Sequence, residues 1–446
     1  MTPRYAVALT VTLLLGAGSC ARHTNRGPNA ALEALVDNRT PPAFVARSDD
    51  GRAAWRETQR FYRENGARLA WSDGARLSRD AGALADAVRQ SADDGLNPQD
   101  YGADVIGQLA GTSVDDVRAP EVDARLTYAY GLLAADLAHG ASDPEDLNPH
   151  WRIAKRDVDI ASSLRDALIG HRIAESLARL APTTPQYAAL KAALARARAP
   201  GADPAAAQAA ATLAINMDRW RWLPDDLGAQ YLLVNVPAFE LTAVEHGRPL
   251  FAMKVVTGKP DNPTPLLADR MTAVVFSPYW NIPPDIAEKE MLPKLASDPD
   301  YLARHNIEVV NGAADQATRF RQRPGKGNSL GSVKFVLTNH QNVYLHDTPA
   351  RALFNRVERD FSHGCVRLEQ PAELARYVLR DQPAWTSEKI DEAMQSGVER
   401  TVALRTPIPV YLVYFTAWAD RDSIRYYDDV YGYDGAPRAR RQRRGR

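Results

Sequence analysis

The stretch that decides the fold is Phe361-Ser362-His363-Gly364-Cys365-Val366-Arg367-Leu368, which follows Tyr344-Leu345-His346-Asp347-Thr348-Pro349. Cys365 is one of only two cysteines in 446 residues, and the other, Cys20, closes an N-terminal apolar segment. A lone thiol is usually either buried and inert or used in chemistry, and its neighbours decide between the two. Two histidines, a glycine and an arginine lie close to Cys365 in the sequence, and they favour a reactive thiol.

Cys365 and His346 are predicted to be a nucleophile and its base. A thiol is only partly ionised at neutral pH, so it needs a base or a cation beside it to attack efficiently. His346 ends an alternating run that begins at Asn342, which places it at the end of a predicted strand, where its side chain can face a cleft. Tyr344 lies two residues earlier and shares the same face.

The motif Ser-His-Gly-Cys-Val-Arg, with a histidine nineteen positions before the cysteine, resembles the signature of YkuD-type L,D-transpeptidases. The resemblance extends to segments 280–283, 325–331 and 333–335. Segments 61–71 and 94–98 are similar to the helical scaffold of the YcbB-like branch of that family. That branch often carries an inserted peptidoglycan-binding module, for which the Ala/Arg/Pro-rich connector here is too short.

The resemblance also implies roles for individual residues. His346 is oriented by the backbone carbonyl of Asp347, while His363 and Gly364 belong to the loop that stabilises the oxyanion. Arg367 offers a planar fork suited to a substrate carboxylate, or alternatively forms a structural salt bridge with Glu369 or Asp347. The other residues implied to bind substrate are Tyr344, Ser362, Trp280 and Asn328.

A metal site is an alternative use of several of these side chains. The possible ligands follow none of the common zinc spacings, and no His-Glu-x-x-His, paired Cys-x-x-Cys or calcium-loop pattern accompanies them. These possible ligands are His340, His346, Asp347, His363 and Cys365. We therefore expect neither a metal nor an organic cofactor. The segment Gly325-Lys326-Gly327 lacks the spacing of a nucleotide-binding loop and is expected to lie on the substrate side.

The N-terminal segment predicts export. Arg4 precedes an apolar run from Tyr5 to Ala17, and Gly18-Ser19-Cys20 resembles the cleavage site of a bacterial lipoprotein signal, although the family usually has Leu where Ala17 stands. Cys20 would then be lipidated, and Ala21 after it would direct the chain to the outer membrane, facing the periplasm. Ordinary secretion without a lipid is the alternative.

The remaining chain predicts an α+β protein: a helical scaffold followed by a β-rich, sandwich-like or barrel-like domain. Helical spacing dominates before residue 198, and alternation with Gly and Pro turns dominates after residue 213. A charged, helix-prone insertion interrupts the strands and is expected to be a lid. The predicted segments are a signal peptide (1–20), a linker (21–45), the scaffold (46–198), a connector (199–212), the catalytic domain (213–418) with its lid (284–329), a C-terminal extension (419–437) and an Arg-rich tail (438–446).

The resemblance implies an enzyme that forms 3→3 peptidoglycan crosslinks. Cys365 would attack the tetrapeptide stem of a donor, release D-alanine and pass the acyl group to an amine of an acceptor stem. The same residues with water as acceptor would make an L,D-carboxypeptidase or a crosslink-cleaving enzyme, and a protein lysine as acceptor would attach a protein to the wall. A noncatalytic, lipid-anchored scaffold that organises wall synthases is the alternative from another class. A balanced formal charge, with 55 basic and 55 acidic residues, gives no reason to expect a nucleic-acid partner.

Overall fold

The computed structural model describes residues 27–72, 76–109, 113–146, 151, 153–202, 204–310, 318–420 and 423–435. The predicted signal peptide with Cys20 and the Arg-rich tail therefore lie outside the described residues. Among the residues that are described, the helices are all too short or too polar to cross a membrane.

Helices build the N-terminal domain, as the sequence predicts. Its centre is a helix of 21 residues that is buried along most of its length, so the shorter helices pack around it. Asp123 on this helix accepts hydrogen bonds from Tyr62 and from the amides of Ala70 and Trp71, and burial raises the pKa of this carboxyl to about 6. The helices are α1 (Ala30–Asp37), α2 (Asp49–Glu64), α3 (Arg79–Gln90), α4 (Ala103–Leu109), α5 (Ala119–His139), α6 (Ile160–Gly170), α7 (Ile173–Ala178), α8 (Pro185–Ala197) and α9 (Pro204–Arg221).

Helix α9 corrects the predicted connector and the predicted start of the β-rich domain. The prediction that a period of two begins near residue 213 is wrong, because the helix continues to Arg221 and the first strand begins at Gln230. Alanines in the first half of α9 are strong helix formers, and Leu213, Met217 and Trp220 recur at helical spacing on its buried side.

The second domain is a closed β-barrel. Nine strands form one sheet in the order β10-β3-β11-β9-β8-β4-β12-β1-β2, and β2 also pairs with β3, so the sheet closes on itself. Most neighbours are antiparallel, while β1 with β12, β9 with β11 and β3 with β10 are parallel. These strands are β1 (Gln230–Asn235), β2 (Glu240–Glu245), β3 (Arg248–Gly258), β4 (Leu267–Phe276), β8 (Val333–Leu337), β9 (Leu345–His346), β10 (Asp360–Ser362), β11 (Val366–Leu368) and β12 (Arg400–Val413).

The predicted lid contains strands as well as helices. After β5 (Trp280–Asn281), the chain forms α10 (Pro284–Ile286), a π-helical turn (Ala287–Met291), α11 (Leu292–Ser297) and α12 (Tyr301–Arg304). Strands β6 (Ile307–Val310) and β7 (Arg319–Gln322) then complete a small sheet with β5. Ile282, Ala287, Met291 and Phe320 form a separate apolar core in this insertion.

The C-terminal part completes the fold. Helices α13 (Pro371–Leu379) and α14 (Ser387–Gln395) pack on the barrel, and β12 has an irregularity between Ala403 and Ile408. The hairpin of β13 (Ala417–Asp420) and β14 (Ser423–Tyr426) crosses the predicted boundary at residue 418. Residues 427–435 continue from it and pack against α9, so this part of the predicted extension is integral to the fold.

Candidate active site

The loop between β10 and β11 presents Cys365. Gly364, directly before the cysteine, has a φ of +112°, a conformation that L side chains rarely adopt, so glycine is required at this position. The Ser362 hydroxyl accepts a hydrogen bond from the Gly364 amide at 3.1 Å and donates one to the Cys365 carbonyl at 2.5 Å. These two bonds close the loop into a tight turn that holds the cysteine backbone in place.

The Cys365 thiol is half-buried and lies against the segment before β9. Its sulfur is 3.8 Å from the Asn342 carbonyl oxygen, and the backbone amide and hydroxyl of Tyr344 approach it. Burial raises the pKa of the thiol above its usual value, whereas the contacts with Tyr344 and the charges of Lys334 and Arg367 oppose that rise. Burial therefore disfavours the thiolate, and Tyr344, Lys334 and Arg367 offset part of that cost.

His346 is buried, with 4% of its surface exposed, and is held in one tautomer. Its Nδ1 lies 2.5 Å from the carbonyl oxygen of Asp347, and because a carbonyl can only accept, Nδ1 carries the proton. The Asp347 carbonyl thus lies where the family resemblance implies it. Burial, followed by the nearby charge of Arg367, lowers the pKa of His346 to about 3, so the ring is neutral and Nε2 is its basic atom. No hydrogen bond joins this ring to the thiol within the described chain.

Three strands align the charged residues of the site. His346 on β9 is the register partner of Lys334 on β8 and of Arg367 on β11. Directly paired residues of neighbouring strands point to the same face, so the three side chains form one row. The Lys334 ammonium lies 3.9 Å from the centre of the Tyr344 ring, and burial lowers the pKa of Lys334.

The guanidinium of Arg367 is left without a carboxylate partner in the described chain. Its Nε is buried and makes no hydrogen bond, and burial lowers the pKa of the group. The alternative of a structural salt bridge is wrong, because Glu369 contacts Lys254 and Asp347 contacts Arg351. Lys334 was not predicted as a site residue; its signals in the sequence are its alternation with apolar residues in β8 and its place in segment 333–335 of the family resemblance.

Comparison with known proteins identifies the domains. Residues 229–410 match the family model described as the L,D-transpeptidase catalytic domain, and residues 56–194 match a scaffold domain. The chain therefore carries a catalytic domain of the YkuD L,D-transpeptidase family, preceded by a scaffold domain.

A putative L,D-transpeptidase of Haemophilus influenzae is 33% identical to the chain over 236 residues, which is 50% of this chain and 48% of that protein. The chain thus spans about half the length of this curated relative. Among solved structures, an L,D-transpeptidase from Mycobacterium smegmatis is 14% identical, with a TM-score of 0.21 over 41% of this chain and 58% of that one. L,D-transpeptidase 3 from Mycobacterium tuberculosis, in complex with a faropenem-derived adduct, is 14% identical, with a TM-score of 0.22 over 42% and 60%.

The L,D-transpeptidase domain brings most of the predicted residues together. Tyr344 contacts three of the other predicted residues. Its hydroxyl contacts the thiol of Cys365 and the indole of Trp280, and its ring centre lies 5.6 Å from that of His346. Burial and the neighbouring thiol raise the pKa of Tyr344 above its usual value, so the hydroxyl stays protonated.

Two residues that were predicted to bind substrate have buried, engaged side chains in the L,D-transpeptidase domain. Ser362, only 2% exposed, uses its hydroxyl within the turn that carries Cys365. Asn328 is 1% exposed, and its amide donates to the carbonyls of Pro278 and Arg323. Both side chains hold loops of the site, which differs from the predicted contact with substrate.

The insertion after β5, which is predicted to be a lid, contacts the loop that carries Cys365. His363 Nε2 lies 2.6 Å from Glu290 Oε1, which belongs to the π-helical turn. His363 is therefore the residue through which the loop meets the lid. No group of three or more His, Cys, Asp or Glu side chains in the described part of the chain is placed to hold a metal ion.

Proposed function

We propose that the chain is a cysteine acyltransferase that forms 3→3 crosslinks between peptidoglycan tetrapeptide stems and releases D-alanine. The observation that carries the proposal is the set of groups around Cys365. A neutral, tautomer-fixed His346 and two cations, Lys334 and Arg367, surround a partly buried thiol in an L,D-transpeptidase domain. A nucleophile of this kind attacks carbonyl groups, and the cations favour its thiolate form.

The first half-reaction is an acylation. The thiol proton moves to Nε2 of His346, and the sulfur attacks the carbonyl between the third residue of the donor stem and its terminal D-alanine. The C–N bond then breaks, the proton passes to the departing amine of D-alanine, and a thioester remains on Cys365. The negative charge that develops on the carbonyl oxygen needs a donor, and the Gly364 amide is already bonded to Ser362. The Cys365 amide is therefore the donor that we assign to this oxygen.

Arg367 is the residue to which we assign recognition of the donor. Its guanidinium has no carboxylate partner in the described chain. A buried guanidinium in this state is stabilised when it binds a substrate carboxylate through two parallel hydrogen bonds. Stem peptides carry carboxylates close to the bond that is cleaved, so Arg367 would orient that bond above Cys365. A carbapenem, which has a reactive carbonyl near a carboxylate, should acylate the same thiol.

The second half-reaction transfers the acyl group to the side-chain amine of a diamino acid on an acceptor stem. The amine attacks the thioester, its proton passes to Nε2 of His346, the C–S bond breaks and the thiolate is regenerated. The contact between Glu290 and His363 brings the lid against the nucleophile loop, and exclusion of water there would favour the amine over hydrolysis. Water as acceptor, giving a carboxypeptidase, and a protein lysine as acceptor are the competing outcomes of the same acyl-enzyme.

The place of action that we propose is the periplasm, with a lipid on Cys20 holding the chain to the outer membrane and cell-wall synthases as further partners. The sequence from Arg4 to Ala21 supports export and the lipid anchor, whereas the synthase partners follow only from the proposed role in the cell wall. Expression of the full chain with a radiolabelled fatty acid tests it: the wild-type chain should incorporate label, and Cys20→Ala should not. Label in neither chain would leave ordinary secretion as the better interpretation.

The experiment that tests the reaction uses the full chain in detergent with purified tetrapeptide muropeptides, and Cys365→Ala as the matched control. Chromatography with mass spectrometry of the products should show dimers that lack one D-alanine, formed only by the wild-type chain. Tripeptide monomers alone would indicate a carboxypeptidase. If neither product forms and the intact protein gains no mass with a carbapenem, the noncatalytic scaffold becomes the better interpretation.

A further inference from the structure

The segment after the last hairpin, Tyr427 to Asp434, lies outside the residues that match the catalytic family model and is here named the C-terminal strap. It has a defined conformation: the Tyr433 and Asp434 amides donate to the carboxylate of Asp429 at 2.8 and 2.9 Å. The Tyr414 hydroxyl donates to Asp429 at 2.7 Å and accepts from the Tyr431 amide at 2.8 Å. The strap is therefore ordered by its own polar contacts and by Tyr414, which directly follows β12.

One end of the strap is fixed to helix α9. Arg219 of α9 forms an ion pair with Asp434 at 2.7 Å, and the two side chains are only 2% and 11% exposed. The Thr416 hydroxyl bonds to Asp434 at 3.0 Å and to Asn216 of α9 at 2.9 Å. Removing either member of this buried pair would leave an uncompensated charge, so the pair fixes this end of the strap to the helix that leads from the scaffold.

The other end reaches the peptide before the nucleophile. The Tyr431 hydroxyl donates to the Gly258 carbonyl at 2.6 Å and accepts from the Thr264 amide at 3.2 Å. The Thr264 hydroxyl, which is fully buried, accepts from the Gly258 amide at 2.8 Å and donates to the Gly364 carbonyl at 2.9 Å. An unbroken series of hydrogen bonds thus joins the strap to Gly364.

The last of these bonds has a direct consequence for the chemistry. The Gly364 carbonyl and the Cys365 amide belong to the same planar peptide unit, so fixing the direction of one fixes the direction of the other. Gly364 has a φ of +112° and no side chain that would restrain it, so the plane needs an external contact. The Thr264 hydroxyl is that contact.

We infer that Thr264, itself held by Tyr431 of the C-terminal strap, is a positioning residue that aims the Cys365 amide at the oxyanion. The inference rests on the proposed function, because it concerns the donor assigned there. The C-terminal strap, which lies outside the matched catalytic domain, thus contributes to acyl transfer without touching the substrate. Misplacing such a donor costs acylation rate, since oxyanion donors act only when they are aligned beforehand.

The test compares two reactions of the same thiol in the full chain. Acylation by a carbapenem forms an oxyanion, whereas alkylation by iodoacetamide does not, and intact-protein mass spectrometry measures the rate of each. Thr264→Val and Tyr431→Phe should slow acylation by about tenfold or more while alkylation stays within about twofold of the wild type. Thr264→Ser, which keeps the hydroxyl, should restore acylation. Tyr433→Phe is the matched control, because the Tyr433 hydroxyl makes no hydrogen bond to the described residues.

The outcomes separate this inference from the proposed function. If both variants acylate at the wild-type rate, or if acylation and alkylation fall together, the strap only supports the fold and the inference is overturned. A wild-type thiol that is alkylated but never acylated would also overturn it. Failure to release D-alanine from muropeptides by a wild-type chain that still acylates would count against the proposed function alone.

Discussion

Replacing His346 with glutamine should make the stability of the protein less sensitive to acid. In the folded chain the pKa of His346 is lowered to about 3 by burial and by Arg367, from an ordinary value of 6.5. Between these two values the unfolded chain binds a proton on this ring and the folded chain does not. Stability from this group is therefore fully present above pH 6.5 and is lost as the pH falls toward 3.

The magnitude follows from the same pKa values. One pKa unit corresponds to about 1.36 kcal/mol, so lowering the pH from about 7 to about 4.5 should cost about 2.5 kcal/mol through His346 alone. Urea unfolding of the wild type and of His346→Gln at both pH values measures the loss of stability on acidification in each protein. The wild type should lose more, and the difference between the two losses is the contribution of His346, because the other titrating groups are the same in both proteins. His340→Gln, which removes an exposed imidazole, should behave like the wild type. Equal losses in the wild type and His346→Gln, within about 0.5 kcal/mol, would refute a buried neutral ring.

Three further substitutions test the surroundings of the thiol and of its base. Lys334→Met removes a cation whose charge lowers the pKa of Cys365, so alkylation of the thiol by iodoacetamide at neutral pH should slow by about tenfold. An unchanged alkylation rate would show that the cation is too far from the thiol to matter. Ser362→Ala leaves the Gly364 amide and the Cys365 carbonyl without their hydrogen-bond partner, so urea unfolding should show a free energy of unfolding that is lower by about 1–3 kcal/mol. Ser362→Thr keeps the hydroxyl and should lie nearer to the wild type. Gly331→Ala places a Cβ 2.4 Å from the Asp347 carboxyl group, at a φ of +63° that alanine rarely adopts. The melting temperature should therefore fall by several degrees, at about 2–4 °C for each kcal/mol of lost stability. A variant as stable as the wild type would show that this loop relaxes easily.

Much of the site could be predicted because it lies in two short segments. Cys365 and His346 need only a glycine turn and a strand end, and both have clear local signals. The Asp347 carbonyl was expected only from the resemblance to a known family. Ser362 and Asn328 could not be assigned correctly, since a polar residue next to a nucleophile can face either the cleft or its own loop. Only the backbone conformation shows that their side chains are buried and bonded to neighbouring main-chain groups.

The fold class was also predictable, but its boundaries were less so. Alternation with turn residues predicted β1 to β4, because a half-buried strand needs apolar side chains on one face. Helix α9 was missed over residues 213–221, where Leu213 to Trp220 fit a helical stripe as well as they fit the start of a new domain. A short apolar run carries too little periodicity to separate the two.

The sequence by itself indicated the groups of the site: a thiol, an imidazole, a glycine turn and an arginine, each specified by residue type and close spacing. The tertiary structure alone decided which distant groups complete the site. Lys334 joins it because three strands come into register, and Tyr431 joins it because the chain end returns to a loop 173 residues away. The register of the strands and the path of the C-terminal strap depend on the packing of the whole barrel, in which residues far apart in the sequence are in contact. No local pattern of residues encodes such contacts.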